Sequence, residues 1–198
     1  MGGRRRFRDS YSRRASRESY PARSVYKLEE IDRRARLLRK GDRVLDLGAA
    51  PGSWTIFACD RVGSGGRVAA VDIQPLRIDP PANAAAIEAD VLELEPAELP
   101  ARAGVEAFDV VLSDAAPSTT GHRFVDQTRS FRLYDRALEI AALVTRRGGR
   151  FAGKIFQGED FETARERTRE LFEKVRVIRP RSVRSASYEI YLVGLGRR

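Results

Sequence analysis

The stretch Val44-Leu-Asp-Leu-Gly-Ala-Ala-Pro-Gly-Ser-Trp54 decides the fold class of this chain. An apolar run ends in Asp-Leu-Gly and passes at once into a loop of small residues. This pattern predicts a buried strand over Arg43–Leu47, followed by a strand-to-helix turn of the kind that holds nucleotides in α/β proteins. At Gly48 the missing side chain lets backbone N–H groups approach a ligand closely.

The spacing within this loop distinguishes between classes of nucleotide site. A dinucleotide fingerprint requires G-x-G-x-x-G, whereas Ala50 fills the second glycine position and Pro51 follows it. This departure argues against a pyrophosphate cradle. We interpret the loop as the floor of an S-adenosylmethionine pocket, formed by Gly48, Ala50, Pro51, Gly52 and Ser53, with Trp54 as its wall.

Strand-like and helix-like segments alternate along the rest of the chain. Strands are predicted at 43–47, 67–71, 86–89, 108–113, 150–155, 174–178 and 188–193, and helices at 22–38, from 52, at 126–146 and from 161. This rhythm is typical of an α/β fold built on a parallel sheet.

Polar side chains follow successive strands of the predicted sheet: Asp72, Asp90, Asp114 and Lys154. Ligands of open α/β sheets bind outside the carboxyl ends of the strands, so we expect these groups to share one site. A carboxylate after the second strand can accept bonds from both ribose hydroxyls, which predicts Asp72 as the ribose ligand. Asp90 is predicted to face the adenine amino group, and the adjacent Ile73 and Val91 are predicted to belong to the cofactor site. Each aspartate taken alone is equally typical of a turn or a helix cap.

Lysine is scarce in this chain. Of the 37 basic residues only those at 27, 40, 154 and 174 are lysines. A lysine can give up a proton, whereas an arginine stays charged. Lys27, at the border of a predicted helix stripe, and Lys154, at a strand end, are therefore candidates for proton transfer, and Lys40 and Lys174 for surface positions.

Length and charge suggest one domain with a basic extension. The chain has 198 residues, which suits a single core, and a net charge of +9. Residues 1–23 carry eight arginines against Asp9 and Glu18, so +6 of that charge lies there. We predict a flexible RNA-binding arm over residues 1–22 and a domain over 23–198, because arginines interleaved with aromatic rings suit a polyanion with exposed bases. A solvated tail and an organellar transit peptide are the alternatives.

Several other classes of protein receive no support. The lone Cys59 forms no internal disulfide and fits a reducing compartment. No apolar run has the length of a membrane span, so a cytoplasmic protein without a membrane partner is expected, with a monomer as the default. His122 has no second histidine or cysteine at ligand spacing, and no metal is predicted.

The chain resembles the FtsJ-like family of RNA ribose 2'-O-methyltransferases from residue 23 to residue 196. The matching segments are Arg23-Ser-Val-Tyr-Lys-Leu-Glu-Glu-Ile31, Asp46-Leu-Gly-Ala-Ala-Pro-Gly-Ser-Trp54, Val71-Asp-Ile-Gln-Pro75, Ser113-Asp-Ala-Ala-Pro117, Gly153-Lys-Ile-Phe-Gln-Gly158 and Tyr188-Glu-Ile-Tyr191. Two positions depart from the family pattern: Ser53 replaces a common glycine, and Tyr188 stands where arginine is frequent.

The resemblance implies a fold, a cofactor and a reaction. The fold is the Rossmann-like one of S-adenosylmethionine-dependent methyltransferases, with a mostly parallel seven-stranded sheet, an antiparallel last strand and helices on both faces. The family's catalytic tetrad falls on Lys27, Asp114, Lys154 and Glu189. The short form most resembles bacterial members that methylate a uridine ribose in large-subunit ribosomal RNA.

This tetrad suggests a mechanism. Lys154 is the candidate general base, since Lys27 nearby would disfavour a second positive charge. Asp114 would orient the amine, and Glu189 would position Lys27 or the ribose. The carboxylates oppose deprotonation of Lys154, so electrostatic stabilisation by this lysine is the alternative.

Other functions remain compatible with the same residues. They are 2'-O-methylation of transfer RNA or of an mRNA cap, a non-catalytic RNA-binding module for ribosome assembly, and methylation of a small molecule, which has no use for a basic arm.

Overall fold

The computed structural model describes residues 10–184 and 187–198. Seven strands form its sheet in this part of the chain: β1 (Arg43–Leu47), β2 (Arg67–Asp72), β3 (Ala84–Glu88), β4 (Phe108–Ser113), β5 (Thr145–Phe156), β6 (Phe172–Ile178) and β7 (Glu189–Arg197). The helices are α1 (Ser10–Arg17), α2 (Val25–Ala35), α3 (Ser53–Val62), α4 (Leu99–Ala103), α5 (Arg123–Val144) and α6 (Phe161–Leu171), with a 3₁₀ turn at Pro96–Glu98.

The sheet is mostly parallel. Its strand order is β3-β2-β1-β4-β5-β7-β6, and only β7 runs antiparallel to its neighbours. The order reverses at β1, where β4 lies beside it. Ligand crevices in such sheets form where the strand order reverses, which is where β1 ends at Gly48. The predicted sheet with an antiparallel last strand is confirmed.

Helices cover both faces of the sheet, because its central strands are apolar on both sides. In β1, Val44 packs under α2 and α3, whereas Leu45 and Leu47 pack on the opposite face, which α5 and α6 cover. The alternation continues in β4 and β7. Each strand residue can therefore be assigned to one face, including the polar residues at the strand ends.

Several strand boundaries differ from the predictions, and the largest difference is at the start of β5. The predicted helix over 126–146 spans Arg123–Val144, and β5 starts directly at Thr145. Gly148 and Gly149 lie in the irregular first part of β5, where the register against β4 shifts between Phe108 and Val110.

Part of the predicted arm is folded onto the domain. Ser10–Arg17 forms α1, in which Ala15 is buried against Val25 and Tyr26 of α2. The Tyr26 hydroxyl donates a hydrogen bond of 2.8 Å to Glu18. These contacts join residues 10–18 to α2. Residues 1–9 of the predicted arm lie outside the described residues, and the boundary at residue 22 stays a prediction.

Candidate active site

A cavity of about 450 Å³ opens at the carboxyl ends of β1, β2 and β4. This volume lies within the range of about 300–1,000 Å³ usual for small-molecule sites. Eight of the predicted cofactor residues line it: Gly48, Ala50, Pro51, Asp72, Ile73, Asp90, Val91 and Asp114. The wall also includes residues that the sequence analysis did not select: Gln74, Arg77, Ala115, Ala116, Ser118 and Leu133.

Gly48 brings the loop after β1 against the loop after β4. Its φ is +75°, and a Cβ atom there would lie 2.6 Å from the Cα of Ala115. Only a residue without a side chain fits this approach. The N–H of Asp114 donates to the carbonyl of Leu47 at 3.2 Å, so Asp114 is held at the edge of the cofactor cavity.

Asp72 fastens the cofactor loop from the end of β2. Its Oδ2 accepts a hydrogen bond of 2.9 Å from the N–H of Ala50, and its Oδ1 accepts one of 2.8 Å from the N–H of Gln74. A carboxylate can accept about four hydrogen bonds, so further acceptor positions remain for ligand hydroxyls. Asp72 therefore both holds the loop in place and contributes to the lining of the cavity.

Three of the predicted cofactor residues do not line this cavity: Gly52, Ser53 and Trp54. Trp54 is buried beneath α2, where its Nε1 donates 2.9 Å to the carbonyl of Ser24 and its ring lies 5.9 Å from that of Tyr191. Ser53 bonds to the backbone of Ala22. Because α2 covers this side of the loop, Trp54 does not line the cavity, and its role as a pocket wall stays a prediction.

The cavity suits S-adenosylmethionine by its donor set. Asp72 and Asp90 contribute carboxylates to its lining, and ribose hydroxyls and an amino group need such acceptors. Val91 and Leu133 supply apolar surface. Ile73 is 63% exposed, although it is a large apolar residue beside a cavity. This exposed side chain fits contact with an adenine ring, so the residues present are compatible with the cofactor.

The predicted tetrad is assembled beside this cavity. Lys154 Nζ lies 3.1 Å from Asp114 Oδ1, and Lys27 Nζ lies 3.8 Å from Asp114 Oδ2. Lys27 also pairs with Glu189 at 2.9 Å. The side chains are only 5–15% exposed. Asp114 therefore stands between two cations, and the cluster is a compact arrangement of opposite charges.

The pKa values reflect this arrangement. Burial disfavours the charged form of Asp114, but the adjacent Lys154 and Lys27 outweigh it and lower the pKa of this carboxyl below its usual range. Burial likewise disfavours the charged form of Lys27, yet Asp114 and Glu189 raise its pKa above the ordinary value. Lys27 thus keeps its positive charge near neutral pH, as is needed if it is to disfavour a second positive charge on Lys154.

Tyr191 belongs to this cluster and was missed from the sequence. Its buried hydroxyl donates a hydrogen bond of 2.7 Å to Asp114 Oδ1. It pairs in register with Lys154, across from it on β7. The signal was available, because Tyr191 lies two residues after Glu189 and strand alternation places both on one face.

Asp46 lies beneath the site and is a buried carboxyl group with an unusual environment. It is fully buried, Thr55 donates 2.8 Å to its Oδ2, and Oδ1 has no hydrogen-bond partner among the described residues. Burial, with help from the negative Asp114 and Asp72 and against the Thr55 bond, raises its pKa to about 7. The folded protein thus holds this proton where the unfolded chain releases it.

We expect the free energy of unfolding to fall as pH rises from about 4 to 7, by up to about 1.4 kcal/mol per pH unit from Asp46. Asp46→Asn should remove this slope and gain stability relative to the wild type at pH 8. Urea unfolding without cofactor at several pH values measures it. The exposed Asp60→Asn on α3 is the matched control, and identical slopes for Asp46→Asn and the wild type would contradict the expectation.

The described residues offer no group of three or more histidine, cysteine or acidic side chains that is placed to hold a metal ion. His122 lies exposed just before α5. None of the helices over 10–184 and 187–198 is both long and apolar enough to cross a bilayer.

Comparison with known proteins agrees with this geometry. Residues 20–197 match the FtsJ-like methyltransferase family. The ribosomal RNA large subunit methyltransferase E of Sorangium cellulosum is 50% identical over 190 residues, which are 96% of this chain and 88% of that relative. Among solved structures, a Plasmodium falciparum protein assigned as a ribosomal RNA methyltransferase superposes with a TM-score of 0.79 and 25% identity, covering 90% of this chain and 98% of that one.

A more distant structure shows the fold alone. Fibrillarin from Aeropyrum pernix, solved with S-adenosyl-L-methionine bound, has a TM-score of 0.57 and 17% identity, over 80% of this chain and 68% of its own. The predicted fold class is therefore confirmed. The family match over residues 20–197 and the 50% identity to the Sorangium relative establish that the chain belongs to the FtsJ-like methyltransferase family.

Proposed function

We propose that the protein transfers the methyl group of S-adenosylmethionine to the 2'-hydroxyl of a uridine ribose in large-subunit ribosomal RNA, and thereby aids ribosome maturation. The observation that carries this proposal is the position of Asp114, which lines the cofactor cavity and lies 3.1 Å from Lys154 Nζ. With the cofactor bound in this cavity, its methyl group and an amine able to act on a hydroxyl proton would lie close together. The name of the Sorangium relative supports ribosomal RNA as the substrate.

The bound cofactor would supply an electrophilic methyl group, which Asp72, Asp90 and the loop after β1 would hold in place. The catalytic part of the protein is to orient the hydroxyl in line with that group and to manage its proton. Lys154 Nζ donates to the carbonyl of Asp114 at 2.5 Å and pairs with its carboxylate. These two acceptors leave a remaining tetrahedral position on the nitrogen for the substrate hydroxyl.

The catalytic role of Lys154 depends on whether this third position of Nζ holds a lone pair or a hydrogen atom. A lone pair there accepts the hydroxyl proton, and an N–H there stabilises the negative charge that develops on oxygen. We propose the first, with Lys27 as the fixed cation and Glu189 as the group that positions Lys27. The negative charge of Asp114 offsets the repulsion expected between Lys27 and Lys154. An experiment therefore has to distinguish Lys154 as the proton acceptor from Lys154 as a group that stabilises negative charge.

Asp72→Ala is expected to weaken S-adenosylmethionine binding by about 10- to 100-fold, since hydrogen bonds to a charged group contribute about 1.5–3 kcal/mol and the Ala50 contact is lost as well. Calorimetric titration measures the dissociation constant. The rate at saturating cofactor should change far less. Asp79→Ala, an exposed carboxylate of the same segment, should bind normally. Equal affinities of Asp72→Ala and wild type would remove Asp72 from the site.

The function is tested by transfer of labelled methyl to large ribosomal subunits taken from cells that lack the enzyme, and to bulk transfer RNA. Label in the large subunit that maps to a ribose 2'-oxygen of one uridine is the expected result. Label in transfer RNA alone would move the substrate. No label in any RNA, despite cofactor binding, would refute the proposal and favour a non-catalytic module or a small-molecule substrate.

Other properties follow from the same proposal. The basic residues of the N-terminal segment would contact RNA phosphates, which predicts RNA affinity that falls steeply with salt. The chain would act in the cytoplasm as a monomer. Light scattering of the purified protein tests the oligomeric state, since a monomer has a mass of 22.2 kDa.

A further inference from the structure

A second cavity, of about 290 Å³, lies at the carboxyl end of β5. Its walls include Thr119 from the loop after β4, Arg123 and Gln127 from α5, Phe156 at the end of β5, and Tyr188 just before β7. We call it the Tyr188 pocket. It shares no lining residue with the cofactor cavity, and the proposed reaction does not use it.

The pocket is built of flat surfaces. Tyr188 is 45% exposed, and the guanidinium of Arg123 lies 4.5 Å from the centre of its ring. Phe124, next to Arg123, is 67% exposed. Aromatic rings and guanidinium planes left open to solvent are the surfaces on which unpaired bases of RNA stack.

The polar groups of the pocket are fixed by the fold. Asp126 accepts hydrogen bonds from the N–H and hydroxyl of Thr120, at 2.8 and 3.0 Å, which fastens the loop that separates the two cavities. Gln127 Nε2 donates 2.6 Å to the carbonyl of Gln157. Positive charge stands at the rim, where Arg179 donates 2.8 Å to the carbonyl of Ser187. The pocket is thus preformed and suits an anionic chain with a flat base.

The Tyr188 pocket lies next to the tetrad. Tyr188 directly precedes Glu189, which pairs with Lys27. The N–H of Gln157 donates 2.9 Å to the carbonyl of Tyr188 and continues the β5–β7 ladder by one step. Strand alternation then directs the side chains of Tyr188 and Glu189 to opposite faces. An RNA strand that has one ribose at Lys154 can therefore place the base of a neighbouring nucleotide in the Tyr188 pocket, across this edge of the sheet.

We propose that the Tyr188 pocket binds the unpaired base of a nucleotide adjacent to the methylated one, by stacking on Tyr188 with Arg123 against the ring. This inference rests on the proposed function. It makes Tyr188 a residue that sets affinity for the RNA rather than the rate of methyl transfer.

Steady-state methylation of large subunits tests it with Tyr188→Ala and Tyr188→Phe. We expect Tyr188→Ala to raise the KM for the RNA about tenfold or more, with kcat and the cofactor dissociation constant within about twofold of the wild type. Tyr188→Phe should restore the KM because it keeps the ring. Leu143→Ala, which removes an exposed apolar side chain near the other end of α5, is the matched control.

The outcomes separate the pocket from the function. An unchanged KM in Tyr188→Ala, a fall in kcat alone, or an equal defect in Tyr188→Phe would overturn the stacking role. If Tyr188→Ala does not fold, the exposed Arg123→Ala decides the matter, with a several-fold higher KM expected and an unchanged KM contradicting the inference. A wild type that labels no RNA would instead refute the proposed function itself.

Discussion

Lys154→Ala is expected to lower kcat for methyl transfer by about 10²- to 10⁴-fold, the usual contribution of a positioned acid or base. The substitution removes a side chain that is 5% exposed and bonded to both the carbonyl and the carboxylate of Asp114. Cofactor affinity should stay close to that of the wild type, because Lys154 does not line the cofactor cavity. Single-turnover transfer of labelled methyl at saturating cofactor and RNA measures the effect.

The chain provides its own control for this loss. Lys174→Ala removes one of the remaining lysines, which is exposed on β6 and pairs with Leu195, towards the opposite end of β7 from Glu189, and it should leave kcat unchanged. Lys154→Arg separates the two proposed parts, since guanidinium keeps the charge and cannot serve as a base at neutral pH. Substantial activity in Lys154→Arg would favour charge stabilisation, and wild-type kcat in Lys154→Ala would exclude Lys154 from the chemistry.

The position of the site was predictable because a simple rule of parallel sheets governs it. Residues that follow β1, β2, β3 and β4 meet at one edge, and the sequence separation between them does not matter. Asp72, Asp90 and Asp114 were found in this way and line one cavity. The scarcity of lysine, together with the predicted helix stripe and the predicted strand end, indicated Lys27 and Lys154, and the structure places both beside Asp114.

What escaped the sequence analysis depends on contacts between distant segments. Trp54 stands in the cofactor loop, yet burial beneath α2 turns it away, and no local pattern encodes that packing. The helix α1 is rich in arginine, a composition that favours a solvated arm, and its order rests on the small apolar contact of Ala15 with Val25 and Tyr26. Glu189 was reached only through the family resemblance, because its place depends on β7 running antiparallel.

The second large effect concerns the charge between the two lysines. Asp114→Asn keeps the shape of the side chain and an acceptor for Tyr191, but removes the anion that Lys27 and Lys154 share. Lys27 would keep its pair with Glu189, whereas Lys154 would lose the carboxylate with which it pairs. Removing one member of a buried charge pair costs about 3–5 kcal/mol in many proteins, so we expect a lower free energy of unfolding and a loss of methyl transfer of about 10²-fold or more.

Two comparisons distinguish the catalytic part of this loss from the structural one. Asp109 lies near the opposite end of β4, buried and paired with Arg43 and Arg146, so Asp109→Asn should reduce stability while kcat stays near the wild-type value. The lowered pKa of Asp114 adds stability above the unfolded value near 3.8 that is lost as pH falls through the folded value, and Asp114→Asn should lack this acid-dependent part. Unfolding midpoints between about pH 2 and 7, together with kcat, measure both. If Asp109→Asn lost as much activity as Asp114→Asn at equal stability, the charge at Asp114 would have no special part in catalysis.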